Sequence, residues 1–391
     1  MVFPVGSSPV GAAAMIHELD TDPHPLLRRL RAGEPVSWLP ALDGWLVTRR
    51  DLAFQVMRDS VTFTVDDPRF STATLIGPSM LSLDGAEHTR HREPFARPFR
   101  PAQTRARFTV FVEAEVDRLI EALYPVGHAE LRGAFAGPLA VAVVAEALGL
   151  EDADAATIRS WYDAFVVAIS DITAGRDGDA TEAYEQLRAS VQAAVADRRS
   201  SSLLADVATR EGGLDLVEIV SNAAVLMFGG IDTTEGMIVN CVWHLLGHPN
   251  QLALVRDDPD LLPNAIEESL RLEPAAAVID RYATRDVELG GARIRRGELV
   301  RVSITGANRD PEVFADPDRF DVRRGNAAEH VAFAHGPHFC FGAHLARLET
   351  RAALRGLLDR LPGLRLDPEH PSAPEGLVFR KPQSVHVRWE P

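Results

Sequence analysis

The stretch FAHGPHFCFG (333–342) decides how this 391-residue chain is read. Cys340 closes a loop punctuated by glycine and proline and opens a helical pattern at 341–359. A helix N-terminus with free N–H groups favours thiolate over thiol. Phe333, Phe339 and Phe341 are placed to shield that sulfur. Gly336 permits a sharp turn, and Gly342 lets a flat group approach the helix. Zinc would need a second Cys at ligand spacing, and the other Cys of the chain, Cys241, lies far upstream. A nucleophilic Cys would need a base, for which His335 and His338 are the candidates. A buried, inert thiol is the common fate of a lone Cys, so the loop by itself leaves these readings open.

The 215–247 segment runs for about nine helical turns without Pro and stops at Gly247-His248-Pro249. Its centre, FGGIDTTEG (228–236), opposes helix formation. Two adjacent glycines cost roughly 1 kcal/mol each relative to Ala, and Asp232, Thr233 and Thr234 are weak helix formers. Gly229 would admit a planar ligand. Thr233 can hydrogen-bond back to a carbonyl and open a kink, where an acid and an alcohol relay protons to a bound oxygen species. The plainer reading is a helix crossing at Gly229-Gly230 with Asp232 solvated.

Glu268 and Arg271 sit at i,i+3 in EESLR, a spacing that commonly decorates a surface. PDRFDVRR (317–324) offers Arg323 and Arg324, while His88 and Arg92 lie one helical turn apart in EHTRHR. Together, Phe-x-x-Gly-x-x-x-Cys-x-Gly, Gly-Gly-x-Asp-Thr-Thr and Glu-x-x-Arg resemble the cytochrome P450 family over essentially the whole chain. The resemblance implies heme b, iron protoporphyrin IX, ligated by the Cys340 thiolate, with Phe333 beside it and Gly229 and Gly342 against the ring. It implies His88, Arg92, Arg281 (at the start of a strand) and His338 as partners of the heme propionates. Thr233 becomes the catalytic alcohol and Asp232 the acid. Glu268 and Arg271, completed by Arg324, become a buried structural clamp.

Composition agrees with a soluble enzyme. Hydrophobic residues are 46% and charged residues 25%, ordinary for a globular chain. The net charge of -15 disfavours general binding of nucleic acid or anionic membrane. Two cysteines exclude a disulfide scaffold and, with no basic n-region in residues 1–16, predict a cytoplasmic protein. The most apolar stretch, 134–150, is too short to span a bilayer. Helical patterns occupy 23–33, 51–59, 87–98, 102–124, 137–149, 155–171, 179–199, 215–247, 250–257, 260–273 and 341–359. Hairpins are expected at 35–50 and 375–389, strands at 283–304 and coil at 306–330. The expected fold is mainly α with a small β region: a single cytochrome P450 domain over 1–391, its long central helix crossing a thiolate-ligated heme. The irregular 60–86 stretch and the 155–199 helices, hinged at TAGRDGDA (173–180), read as a substrate-access lid.

By resemblance, the reaction is monooxygenation: one atom of O2 enters a mostly apolar small organic substrate, and natural-product tailoring suits an Arg-rich bacterial chain. Peroxide-driven oxidation, coupling, nitration or rearrangement is the alternative, and a non-catalytic heme sensor is a third reading. The acid–alcohol pair argues against both. Phe70, Met80, Val225, Phe228, Ala277, Val278 and Phe379 are the expected pocket lining. The chain ends about thirty residues past the 341–359 helix, so electrons are expected from an external ferredoxin and its reductase. Residues 88–107 hold six Arg against Glu93 alone, and Arg347, Arg351 and Arg355 follow Cys340, which predicts a docking patch for that acidic donor.

Overall fold

The computed structural model describes residues 9–150, 152–173, 177–196, 203–209 and 213–391. Everything is arranged around the Leu216–Gly247 helix, hereafter the long helix. Asp215 begins it with a capping box: its side chain accepts from the Glu218 N–H, and the Glu218 carboxylate accepts from the Asp215 N–H, each at 2.9 Å. The helix ends where the His248 N–H turns back to the Leu245 carbonyl and Pro249 starts the next helix. By length and composition it could cross a membrane. Here it is the core helix, buried against Gly137–Leu148, Leu262–Leu272 and Ala343–Arg360.

Its two central glycines do different things. A Cβ on Gly230 would lie 2.6 Å from Val144 Cγ2, so Gly230 makes the crossing with Gly137–Leu148. A Cβ on Gly229 would meet nothing within 4 Å. The plainer reading of the glycine pair therefore describes Gly230 and leaves Gly229 to the cavity.

The 35–50 hairpin forms as expected, from Val36–Leu39 and Gly44–Val47, with Asp43 left-handed at the turn (φ 47). Gly44–Val47 pairs parallel to Leu299–Ser303, which pairs antiparallel to Val278–Ala283, and Phe63–Thr64 closes the five-stranded sheet. Arg281 thus lies within a strand and not at its start. The expected 375–389 hairpin forms only as a two-residue ladder and does not reach 389. Lys381–Pro382 pairs with Pro374–Glu375, whereas His386–Arg388 pairs with His128–Glu130 and Arg365–Leu366. Pro374 and Pro382 face each other without N–H donors, so that ladder stops after two residues and the chain continues into another sheet. The 60–86 stretch is less irregular than expected. It holds the Phe63–Thr64 edge strand and a Ser71–Ile76 helix, which packs on Ala155–Thr173. Residues 174–176 and 197–199 of the expected lid lie outside the described residues.

Glu273 joins the distant ends of the fold. Fully buried, it meets His24 Nε2 at 2.6 Å, Arg309 at 3.0 Å and Arg380 at 2.8 Å. Burial alone would raise its pKa, but these partners hold it down at about 2. A depressed native value means the folded state binds fewer protons. The stabilisation is therefore complete above the unfolded carboxyl range and is lost as pH falls toward 2. Glu273→Gln should cost about 3 kcal/mol at neutral pH. In denaturant titrations across pH, its stability should also fall less steeply than wild type between about pH 5 and pH 2.

Candidate active site

The cysteine loop is built by its own backbone. Gly336 is left-handed (φ 75), and a Cβ there would sit 2.5 Å from the Met57 carbonyl oxygen, so only glycine fits. The Cys340 N–H donates to the Phe333 carbonyl at 2.9 Å, and Ala343 starts the following helix. The loop is anchored from behind by a buried ion cluster. Arg271 grips both oxygens of Glu268 at 2.7 and 2.9 Å, each side chain wholly inaccessible. Arg324, and not Arg323, adds a third bond to Glu268 at 2.9 Å. Arg271 also donates to the carbonyls of Asn308, Pro317 and Arg319, and Asn308 Oδ1 accepts the Val331 N–H at 2.7 Å. The clamp expected of these three residues thus reaches the start of the cysteine loop through Asn308.

Cys340 opens onto an interior cavity of about 300 Å3. Phe333 and Gly342 lie beside it, and Gly229 and Thr233 of the long helix line the same space. Neither candidate base serves the sulfur. His335 accepts from Arg58 at 2.8 Å, and His338 meets Asp84 at 2.9 Å. Of the expected aromatic shield, Phe341 packs on Phe99, but Phe339 is 42% exposed because it faces outward. Burial pushes the Cys340 thiol up, while the Gly342 and Ala343 N–H groups, Arg92 and Arg347 pull it back.

The basic residues expected at the cofactor form one group. The His88 ring packs against His338 at 4.2 Å, tilted by 42°, and its buried Nε2 has no hydrogen-bond partner. Burial, with His338 and Arg92 nearby, lowers its pKa to about 4. Arg92 lines the cavity and donates to the Phe339 carbonyl. Arg281 is buried, bonds only to the Asp280 carbonyl at 2.7 Å, and is lowered to about 10 by that burial. Neither guanidinium makes an ion pair among the described residues. Asp84, despite burial, is held at about 2 by hydrogen bonds from His338, Thr64 and Val65. An open glycine wall, a sulfur, an unpartnered ring nitrogen and two cations without anions fit a flat dianionic group such as heme. His338 joins this set with one nitrogen already committed to Asp84.

Thr233 donates to the Gly229 carbonyl, as its backward reach suggested, and the helix runs unbroken from Leu216 to Gly247. Asp232 does not line the cavity. Its Oδ1 accepts from Lys381 Nζ at 2.7 Å and from the Tyr162 hydroxyl, and its buried Oδ2 has no partner. Lys381 also reaches Glu235 at 2.8 Å, where Arg132 and Arg159 converge. Burial and the Asp232 charge push the Tyr162 phenol well above its ordinary range. Lys381 escaped the sequence reading, although it is the chain's sole lysine.

Met80 and Val225 line the cavity as expected, and five other expected residues do not. Phe228 is turned onto Phe379 at 5.3 Å and faces Tyr162. The Ala277 N–H is bonded to Val378, so Ala276 and Ile279 present themselves in place of Ala277 and Val278. Phe70 precedes the Ser71–Ile76 helix instead. Val144 and Leu148 were missed. The only signal for them was a helix apolar on every side.

A family model for cytochrome P450 matches residues 255–384. Cytochrome P450 monooxygenase PikC of Streptomyces venezuelae is 37% identical over 96% of this chain and 93% of its own length. Mycinamicin IV hydroxylase/epoxidase of Micromonospora griseorubida is 34% identical over 92% and 94%. The crystal structure of CalO2 superposes with a TM-score of 0.88 at 30% identity, covering 96% of this chain and 99% of that one. That of HmtN, a post-tailoring hydroxylase of himastatin biosynthesis, gives 0.83 at 32%, covering 95% and 98%. With near-complete coverage by such relatives, and a sulfur, glycine wall and cation set shaped for heme, the chain belongs to the cytochrome P450 family.

Proposed function

We propose that this chain is a heme-thiolate monooxygenase in which Cys340 holds the iron of heme b and the apolar end of the cavity holds a small organic substrate. The observation that carries this reading is Cys340 and Thr233 lining one cavity, with His88 Nε2 left unpartnered beside its His338 wall. Arg92 and Arg281 would neutralise the propionates, and the neutral His88 ring would offer a hydrogen bond from Nε2, with His338 contributing through its other nitrogen. When bound, heme supplies oxygen activation, in which one atom enters the substrate and the other leaves as water. The Thr233 hydroxyl would deliver protons into the cavity. Asp232 would resupply them from behind, where Lys381 and Tyr162 now hold it. Met80, Val225 and Ile279 keep that end apolar and exclude water.

The tailoring enzymes among the relatives support a role in natural-product tailoring. The acidic composition and the buried state of the long helix support a cytoplasmic enzyme that binds neither nucleic acid nor membrane. The Ser71–Ile76 helix and the Ala155–Thr173 and Thr181–Ala196 helices would form the access lid of a single catalytic domain. For electrons, an external ferredoxin with its reductase fits a smaller patch than the composition suggested. Arg90 pairs with Glu218 and Glu87, Arg107 donates to the Glu146 carbonyl, Arg347 pairs with Glu267, and Arg355 meets Asp359. Arg97, Arg100, Arg105 and Arg351 make no ion pair among the described residues. Arg105 and Arg351 flank a second cavity, of about 190 Å3.

Reduced protein treated with carbon monoxide should show the long-wavelength Soret band of thiolate ligation. Cys340→His should lose that band and the activity while retaining some heme. A globin-like band in fresh wild-type protein would overturn the ligand assignment. Thr233→Ala should keep heme and ligand affinity yet release hydrogen peroxide in place of product. Asp232→Asn should slow product formation on the order of 10-fold or more. Wild-type rates and coupling in both variants would leave the two residues a structural role only. Reversing Arg97 and Arg100 to Glu should slow reduction by ferredoxin about 10-fold at low salt and flatten its salt dependence. Rates indifferent to charge and salt would place docking elsewhere.

A further inference from the structure

One turn before Val225, the long helix buries two polar residues, Ser221 and Asn222, which are 1% and 0% exposed. Polar groups in an apolar core need partners, and both find theirs in the backbone of the 76–82 segment. The Ser221 hydroxyl has two carbonyls in reach, Ile76 at 2.5 Å and Val217 of its own helix at 3.1 Å, and the shorter contact is to Ile76; Asn222 Oδ1 accepts the Met80 N–H at 2.8 Å. Asn222 Nδ2 donates to the Glu218 carbonyl at 2.7 Å and faces His91 Nδ1 at 2.9 Å. These partners settle the amide orientation, because an N–H only donates and a carbonyl only accepts. His91 Nδ1 then accepts from Asn222, while His91 Nε2 lies between Arg90 Nη2 at 3.2 Å and the Glu218 carboxylate at 3.4 Å. Between the two anchors the chain turns at Gly77 (φ 80), where an added Cβ would lie 3.3 Å from Ser221 Oγ. The anchored segment carries Met80 and Leu81, both of which line the cavity.

We propose that Ser221 and Asn222 are positioning residues for substrate, fixing the height of Met80 and Leu81 over the cavity so that ligands reaching that wall are bound in one orientation. This rests on the reading that Cys340 holds heme in the same cavity. Apolar contact alone leaves the segment free to slide, whereas bonds to the Ile76 carbonyl and the Met80 N–H fix it at two points. Without Asn222 the Met80 N–H has no acceptor, and the segment must shift to find one.

The test compares two probes on heme-loaded protein by Soret titration. Imidazole is the small probe that would engage the iron alone, and phenylimidazole the longer one that would extend toward the Met80 wall. Asn222→Ala should leave the imidazole Kd within about twofold of wild type and weaken phenylimidazole about tenfold, with Ser221→Ala acting in the same direction. Equal weakening of both probes would mean general loosening, and no weakening of either would mean the anchor is idle. Each result overturns the proposal. If wild type gives no Soret response to imidazole, the heme assignment itself fails and takes this proposal with it. If the variants do not fold, hydrogen exchange on wild type decides. A Met80 amide protected to the level of the long helix supports the anchor, and one exchanging like an open loop overturns it.

Discussion

The Glu268 carboxylate, gripped by Arg271 and Arg324 out of reach of water, is the interaction on which the site depends. Two guanidiniums and one carboxylate in the core leave an excess positive charge, which is dispersed into backbone carbonyls from Asn308 to Arg319. Those carbonyls belong to a coil with little secondary structure of its own. The ion cluster therefore does for 308–324 what a ladder does for a strand. Asn308 passes that order to Val331, and the cysteine loop begins from a fixed point. Such clusters gain little stability over apolar packing, and here the return is specificity of one loop path.

The long helix organises the opposite wall by spending its weakest residues where a better helix former would obstruct. Gly230 brings Val144 close, Gly229 stays open to the cavity, and Thr233 turns its hydroxyl onto the Gly229 carbonyl. One turn of helix thereby offers packing on one side, space on another and a movable proton between them. Asp232 points behind this turn, into a charge network running through Lys381 and Glu235 to Arg132 and Arg159. Asp232 with its charge network and the cavity are thus on different faces of the same helix.

Net charge describes this protein poorly. A chain of -15 keeps Arg92 and Arg281 free of ion pairs among the described residues, while many of its other Arg residues are engaged by acids or carbonyls. Pairing, more than sequence clustering, decides which Arg residues are available. That is why Arg90 and Arg347 drop out of the proposed docking edge and Arg105 and Arg351 remain.

Much of the fold was legible from local chemistry. Capping at Asp215, the stop at Gly247-His248-Pro249, the hairpin around Asp43-Gly44 and the loop before Cys340 are each written in a few neighbouring residues, so the sequence by itself determined them. Choosing Arg324 over Arg323 was also within reach, but through the resemblance to the family's coil and not through local chemistry. What depended on contacts between distant segments was not. Lys381 lies 149 residues from Asp232, and nothing near either one announces the pair. Phe228 and Phe379 satisfied each other and left the cavity, and a one-residue choice of facing replaced Val278 with Ile279. Covalent spacing sets which residues can form a helix, a turn or a ligand loop. Which side chain faces the cavity, and which charge meets which, is decided only when the elements pack, because burial makes each polar atom take the nearest partner the tertiary fold supplies.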